Sequence, residues 1–217
     1  FNKKYDLRVS NSMINLLDRN NNSYIHRVIN ISKKPIIYLG QGCVESYKLL
    51  REFAIKANIP VVSTIHGCGT FDEEHELSLQ WCGMHGSAAA NYSLQDSDCI
   101  IALGSRFDDR TTGLVSKYAP KCFEAYSKKK GGIIHVNIEK SEIKRVVNSH
   151  YNFNMSCKDW LDIAMKNIKY NKREDWIHNV NTLKSKHKFV EEESENLTMS
   201  EVLNKIYRKT KCLKDNL

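Results

Sequence analysis

Five residues of this chain crowd three kinds of chemistry into one turn. Arg106, Phe107, Asp108, Asp109 and Arg110 follow a buried-looking run, Ile100 to Leu103, that stops at Gly104. Two guanidiniums suit a carboxylate or phosphate, which they bind through paired N–H donors. Two carboxylates suggest a metal site or a shared proton. Adjacent residues on extended backbone point to opposite sides, however, so Asp108 and Asp109 make a poor proton-sharing dyad. A turn closed by ion pairs with Arg106 and Arg110 stands beside the ligand-site reading, and the spacing alone does not separate them. Three other clusters have a similar character. Gly40-Gln41-Gly42 is a Gly-x-Gly with Glu45 where a dinucleotide fingerprint would place its third glycine. Such a loop is either a tight turn or a place where backbone closes on a pyrophosphate at a helix N-terminus. Gly67-Cys68-Gly69 repeats the idea. Gly83-Met84-His85-Gly86 precedes Ala88-Ala89-Ala90, so His85 either meets a ligand or caps that helix.

These clusters need elements to hold them. Ile36 to Leu39, Pro60 to Thr64, Asp98 to Leu103 and Gly131 to Ile138 are short apolar runs, each ending in Gly or a small polar group. Between them run helical patterns. One carries Tyr47, Leu50, Phe53, Ala54 and Ala57 on a single face, a second begins at Ala88, and a third begins near Ser141 with Glu142 in its first turn. An acidic loop, Asp72 to Glu76, leads into a short helix before Gly83. Strands alternating with helices predict an α/β fold with a parallel sheet. In such sheets ligands bind outside the carboxyl ends of the strands, where these glycines fall. Residues 1–30 read as a linker and helix, with an amphipathic stretch from about Met13 to Ile31. Residues 31–170 read as the α/β domain and 171–217 as a helical linker. Within that linker lie a helix over 174–189, an acidic stretch at 191–195 and a last helix capped by Thr198 and Glu201. A further amphipathic helix is expected over 158–168, and the chain has no internal repeat.

Composition limits the classes. The 217 residues carry a net charge of +8, with 41% hydrophobic and 27% charged residues. Lys and Arg are dispersed rather than gathered with aromatics on one element, which argues against a nucleic-acid face. Lys128-Lys129-Lys130 is the one tight basic run, and it reads as a loop. Seven cysteines, with no C-x-x-C pair, fit free thiols in a reducing compartment, with Cys99 a small core residue. The eight histidines show no ligand spacing, and no apolar stretch is long enough to span a membrane. The first residues do not form a signal peptide. A start at Phe1 rather than Met reads as a segment cut from a longer chain.

Three longer strings are more specific. "PVVSTIHGCGTF", "LSLQWCGMHGSAAANYSLQDSDCIIALGSRFDDRTTG" and "GGIIHVNIEKSEI" resemble, in this order and spacing, the central domain of the acetolactate synthase (acetohydroxyacid synthase) catalytic subunit. The resemblance covers roughly residues 30 to 210. The Lys-rich stretch before Gly131-Gly132 and the Glu174-Asp175-Trp176 segment look most like the fungal, mitochondrial branch, the plastid and the cytoplasm being the alternatives. It implies a Rossmann-like, six-stranded parallel sheet with helices on both faces. It also implies a thiamine-diphosphate and Mg2+ enzyme that decarboxylates pyruvate. The remaining two-carbon unit joins a second pyruvate or 2-oxobutanoate, giving 2-acetolactate or 2-aceto-2-hydroxybutyrate for isoleucine, valine and leucine synthesis. Subunits of the family form dimers or tetramers with a regulatory subunit; neither nucleic acid nor membrane is an expected partner.

By the same resemblance the central domain holds FAD, which does no redox work in the reaction. Its contacts would be Gly40, Gln41 and Gly42; Thr64 and Ile65; Cys82, Gly83, Met84 and His85; Gly104, Ser105, Arg106, Phe107 and Asp108; and Asn137 and Ile138. Asp109, Arg110 and Met84 would face the substrate channel. The activating Glu and the GDG…N metal motif belong to other domains, so no catalytic or metal residue is expected in these 217 residues, which alone should not turn over pyruvate. Three departures touch the flavin edge. The family usually has Gly or Ala at Gln41, often Asp or Glu at Asn137, and Gly-Asp at Ser156-Cys157. Each lost buried acceptor would weaken binding by about 1–3 kcal/mol. A non-catalytic fragment or paralogue that keeps the fold is one alternative. The flavin-free central domain of an oxo-acid decarboxylase is another, against which GMHG and RFDDR together argue.

Overall fold

A computed structural model describes residues 22–188 and 196–210. The described residues divide into two compact units, one ending at His187 and the other beginning at Lys188.

The first unit is built on six parallel strands: β1 (Pro35–Leu39), β2 (Val61–Ser63), β3 (Ser78–Trp81), β4 (Cys99–Leu103), β5 (Gly132–Asn137) and β6 (Tyr151–Asn154), in the order β3-β2-β1-β4-β5-β6. The four inner apolar runs are the strands expected from the sequence. Their side chains alternate between two cores, as a period of two requires. Ile37, Leu39, Ile101, Leu103, Ile134 and Val136 face one side. There they meet α1 (Asn22–Ile31), α2 (Tyr47–Ala57) and α6 (Cys157–Asn167) through Ile29, Phe53, Ala57, Trp160 and Leu161. Ile36, Tyr38, Ile100, Ala102 and Ile133 face the other side. Their partners there lie on α3 (Ala88–Asp96), α5 (Pro120–Ser127) and α7 (Glu174–Lys186), including Ala90, Leu94, Cys122, Trp176 and Val180. A sheet covered on both faces needs strands that are apolar throughout, which is why β1, β4 and β5 read as continuous runs.

The chain moves outward from β1 to β3 on one side, then starts again at β4 and moves outward to β6. The reversal lies between β1 and β4, so the loops after those strands diverge from neighbouring strand ends and leave a crevice.

Four expectations change. The segment before Gly83 is not a helix but β3, which pairs with β2 through an irregular register while Leu77 and Leu79 are buried. Pairing to the sheet edge overrides local propensity there. The turn at Lys140–Glu142 does not continue as a helix: Glu139 accepts hydrogen bonds from the Ser141 N–H and hydroxyl, and the chain returns irregularly to β6. Strand β6 itself was not anticipated. Tyr47 does not share the buried face of α2; it is exposed, with Lys48 and Arg51 over its ring.

Arg173 ties the last helix of this unit to the rest. It sits before α7 with φ of 45°, and its buried guanidinium donates to the carbonyls of Ile29, Ser32 and Ala57. Trp176 adds an indole N–H bond of 2.9 Å to Pro35 O. The six cysteines among the described residues, Cys99 included, are free, and Cys99 is fully buried. No helix among the described residues is long and apolar enough to cross a membrane. In the second unit α8 (Met199–Thr210) begins with a capping box: Glu201 N–H donates to the Thr198 hydroxyl, and the Glu201 carboxylate accepts from Thr198 N–H. The expected acidic stretch at 191–195 and the segment from Met13 to residue 21 lie outside the described residues.

Candidate functional site

The loops after β1 and β4 touch backbone to backbone. Gly40 N–H donates to Leu103 O at 2.9 Å and Gly42 N–H to Gly104 O at 3.0 Å. A β-carbon on Gly40 would sit 2.3 Å from Gly104 O, so no larger residue fits without moving both strands' ends. Beyond Gly40 the chain does not enter α2 directly but turns through a 3-10 segment, Gln41–Ser46, with the Gln41 side chain exposed.

The turn that opens with Arg106 is organised by Phe107. Its φ is 55°, an uncommon conformation for an aromatic residue, and its ring is 1% exposed. The ring stacks on Tyr38 at 5.1 Å and meets the edges of Tyr118 at 5.9 Å and His135 at 5.0 Å. Burying Phe107 leaves Arg106 and Asp108 facing outward on either side. Asp108 is not paired with an arginine: its carboxylate accepts from the Thr111 hydroxyl at 2.9 Å. Asp109 accepts from Arg110 N–H and opens α4 (Asp109–Thr112). Among the described residues no ion pair joins Arg106 or Arg110 to either aspartate. The turn is held by an aromatic anchor and hydroxyl bonds, which leaves both guanidiniums exposed.

Around the crevice lies a groove of 370 Å³ lined by Gly40, Gln41, Gly42, Thr64, Gly104, Ser105, Arg106, Asp108 and Asn137 from the expected set, joined by His66, Glu139 and Glu142. The last three were not anticipated. Glu139 and Glu142 lie just past the carboxyl end of β5, and that position is the signal in the sequence that could have pointed to them. One buried polar atom of the lining, Ser105 Oγ, has no hydrogen-bond partner, whereas Glu142 Oε2 is ion-paired with Arg145 Nε at 3.2 Å. Burial without a partner costs about 1–3 kcal/mol, which leaves the Ser105 hydroxyl open to a partner from outside the protein. Below Ser105, His135 Nε2 and Asn137 Nδ2 each donate to its carbonyl at 2.9 Å. Burial lowers the His135 pKa, which leaves the ring neutral with the proton on Nε2.

The other expected residues lie outside the groove's lining. Phe107 lies beneath it. Ile65, 60% exposed, and Ile138 project from the ends of β2 and β5. Cys82 is buried at the end of β3, donates to Ser63 O, and has its thiol pKa pushed up to about 12 by burial, so it is not a nucleophile. Gly83, with φ of 109°, is clasped by Asn91, whose side-chain oxygen accepts from Gly83 N–H and whose amide donates to Gly83 O. Met84 N–H donates to Arg110 O at 2.8 Å, which brings Met84, Asp109 and Arg110 to one side of the sheet's carboxyl edge. Met84 is 68% exposed. His85 is exposed; it does not cap α3, whose first turn is capped by Ser87 accepting from Ala90 N–H. Among the described residues no three His, Cys, Asp or Glu side chains converge as a metal site.

Residues 24–163 match the family model described as thiamine pyrophosphate enzyme, central domain. The chain belongs to the thiamine pyrophosphate enzyme central domain family. Acetolactate synthase, mitochondrial, of Schizosaccharomyces pombe is 38% identical over 211 residues, covering 92% of this chain and 32% of that relative. Acetolactate synthase catalytic subunit, mitochondrial, of Saccharomyces cerevisiae is 38% identical over 166 residues, 75% of this chain and 24% of that relative. Acetolactate synthase 2, chloroplastic, of Nicotiana tabacum is 41% identical over 144 residues, 66% and 20% respectively. The chain thus spans a third or less of the length of these relatives. As a thiamine pyrophosphate enzyme central domain it has the all-parallel α/β sheet expected from its sequence. Ser156 and Cys157 have local uses: Ser156 caps α6 by accepting from Asp159 N–H, and Cys157 is buried in the core.

Proposed function

We propose that this chain is the central, FAD-holding domain of an acetolactate synthase catalytic subunit of the fungal, mitochondrial type. The observation that carries this reading is the convergence of the Gly40 and Gly104 loops on one groove at the strand-order reversal, with Arg106 on its rim. A dinucleotide's pyrophosphate suits that combination of close backbone and one guanidinium. The unpartnered Ser105 Oγ supplies a polar contact that the groove's own residues leave unused. FAD fits these residues as a structural group, one that does no redox work. Exposed Ile65 and Met84 lie toward β2 and β3 and offer apolar surface for a flat ring.

In this reading Asp109, Arg110 and Met84 border the substrate channel. The exposed Arg110 guanidinium clamps the carboxylate of pyruvate or 2-oxobutanoate. Thiamine diphosphate and Mg2+, held by the rest of the enzyme, supply the decarboxylation and carbon–carbon bond-forming chemistry. The flavin domain takes in α7, which packs on the sheet through Trp176 and Val180, so its end lies at His187 rather than at the expected residue 170, and the later residues lead toward the thiamine-binding part. The natural assembly is a dimer or tetramer with a regulatory subunit, in the mitochondrial matrix.

The departures at Gln41, Asn137 and Ser156-Cys157 support a second reading, a paralogue that keeps the fold without flavin. Both are tested by a chimaera in which this chain replaces the matching third of the S. pombe relative. Formation of 2-acetolactate from pyruvate by a chimaera that copurifies with FAD is expected. A soluble chimaera with neither product nor flavin favours the paralogue.

A further inference from the structure

The six cysteines among the described residues do not all have the same kind of partner. Cys68, Cys82 and Cys122 donate to the carbonyls of Thr64, Ser63 and Ser97, and Cys99 meets the Ser32 hydroxyl. Cys43 and Cys157 meet each other instead, the Cys43 thiol donating to the Cys157 sulfur. That bond, together with burial, holds the Cys43 thiol pKa well above its ordinary value, so Cys43 is the proton-bearing member of the pair.

The two residues come from distant parts of the chain. Cys43 lies in the 3-10 segment Gln41–Ser46 after β1 and is fully buried; Cys157 is the first residue of α6 and is 4% exposed. Helix α6 packs against that segment, and both cysteines belong to the core that holds Phe53, Trp160 and Leu161. The backbone around each sulfur is held. Cys43 N–H donates to Gly40 O at 3.1 Å, and Ser156 Oγ, one residue before Cys157, accepts from Asp159 N–H at 3.1 Å. Sulfurs already in contact are the starting arrangement that a disulfide requires, and side-chain rotation then closes the bond.

We propose that Cys43 and Cys157 form a covalent modification site: a peroxide converts them into an internal disulfide that ties the turn Gln41–Ser46, and with it the groove-lining Gln41 and Gly42, to α6. Cys157 is the sulfur that the oxidant meets, because Cys43 is fully enclosed. Hydrogen peroxide transfers one oxygen to Cys157, giving a sulfenic acid and one water. The Cys43 sulfur then attacks the Cys157 sulfur. The S–S bond forms, the S–O bond breaks, and the departing hydroxyl takes the Cys43 proton to leave as a second water. The two electrons lost by the thiols have gone to the peroxide. The cross-link joins residues far apart in sequence, so it restricts the unfolded chain and stabilises the folded one.

The test treats the purified, fully reduced 217-residue chain with hydrogen peroxide in native buffer. Remaining thiols are then capped in urea, and the chain is digested and mapped by mass spectrometry without reduction. The main cross-linked product should be the peptide pair joined through Cys43 and Cys157, and dithiothreitol should release it. The oxidised chain should melt about 5 °C or more above the reduced one by circular dichroism. A Cys157→Ser variant should give no such pair and no peroxide-dependent rise in melting temperature. If that variant does not fold, the map of the unaltered chain decides alone. The proposal fails if Cys43 and Cys157 stay reduced while other cysteines couple, or if Cys157 is oxidised without linkage to Cys43. A pair that forms only when peroxide is added in urea also overturns it, as does a linked chain that melts no higher than the reduced one.

Discussion

Gly40 shows how narrow the tolerance is at the crevice. Its missing β-carbon leaves room for the backbone of Gly104 and Ser105, neither of which can rotate away as a side chain would. Gly40→Ala should lower the urea-unfolding free energy by about 1–3 kcal/mol through overpacking, and weaken flavin binding in parallel. An unchanged urea midpoint would contradict the backbone contact. His150 gives a second residue-scale prediction. Its ring is stacked on Tyr126 at 4.0 Å, and its Nδ1 accepts from Ile133 N–H at 2.8 Å. Burial, with Lys144 nearby, pushes its pKa down from 6.5 to about 4. Between those values the unfolded chain binds the proton and the folded chain does not. The His150 contribution therefore makes stability fall as pH drops from 6.5 toward 4, and leaves it flat above and below. An NMR titration should place the His150 ring midpoint near 4. A midpoint at the ordinary histidine value would show that the stacked, bonded ring is not the state in solution.

At the scale of elements, α7 depends on Arg173 more than on its own helical propensity. Three carbonyls from α1, the loop before β1 and the end of α2 converge on one buried guanidinium. Arg173→Ala leaves them without a donor and should cost about 3 kcal/mol or more by urea unfolding, with Trp176 fluorescence shifting toward that of an exposed indole. A change below about 0.5 kcal/mol would mean that the docking of α7 rests on Trp176 and Val180 alone. Arg173 was not legible in the sequence, because a left-handed cap residue whose partners are about 115 to 145 positions away leaves no local pattern. Strands β1, β4 and β5 were legible because burial on both faces makes them continuous apolar runs between glycines. Strands β3 and β6, four residues each, carry too little pattern and exist through pairing with a neighbour. Of the glycine-ended loops, those after β1 and β4 line one groove while Gly67, Gly69, Gly83 and Gly86 lie outside its lining, and Phe107 hid its role: nothing local says that an aromatic in an Arg-Asp cluster turns inward.

For the whole molecule, a sheet that reverses its strand order between β1 and β4 gathers loops distant in sequence into one groove. Among the described residues Arg106 is the one arginine that lines that groove, so affinity there should depend on that residue and only weakly on bulk salt. Whether this groove holds FAD is read directly by titrating the purified 217-residue chain with FAD and following flavin fluorescence. One FAD per folded chain should bind with a Kd below about 100 µM, weakened at least about tenfold by Arg106→Ala. A chain that is folded by circular dichroism yet shows no saturable binding up to about 1 mM would contradict the account.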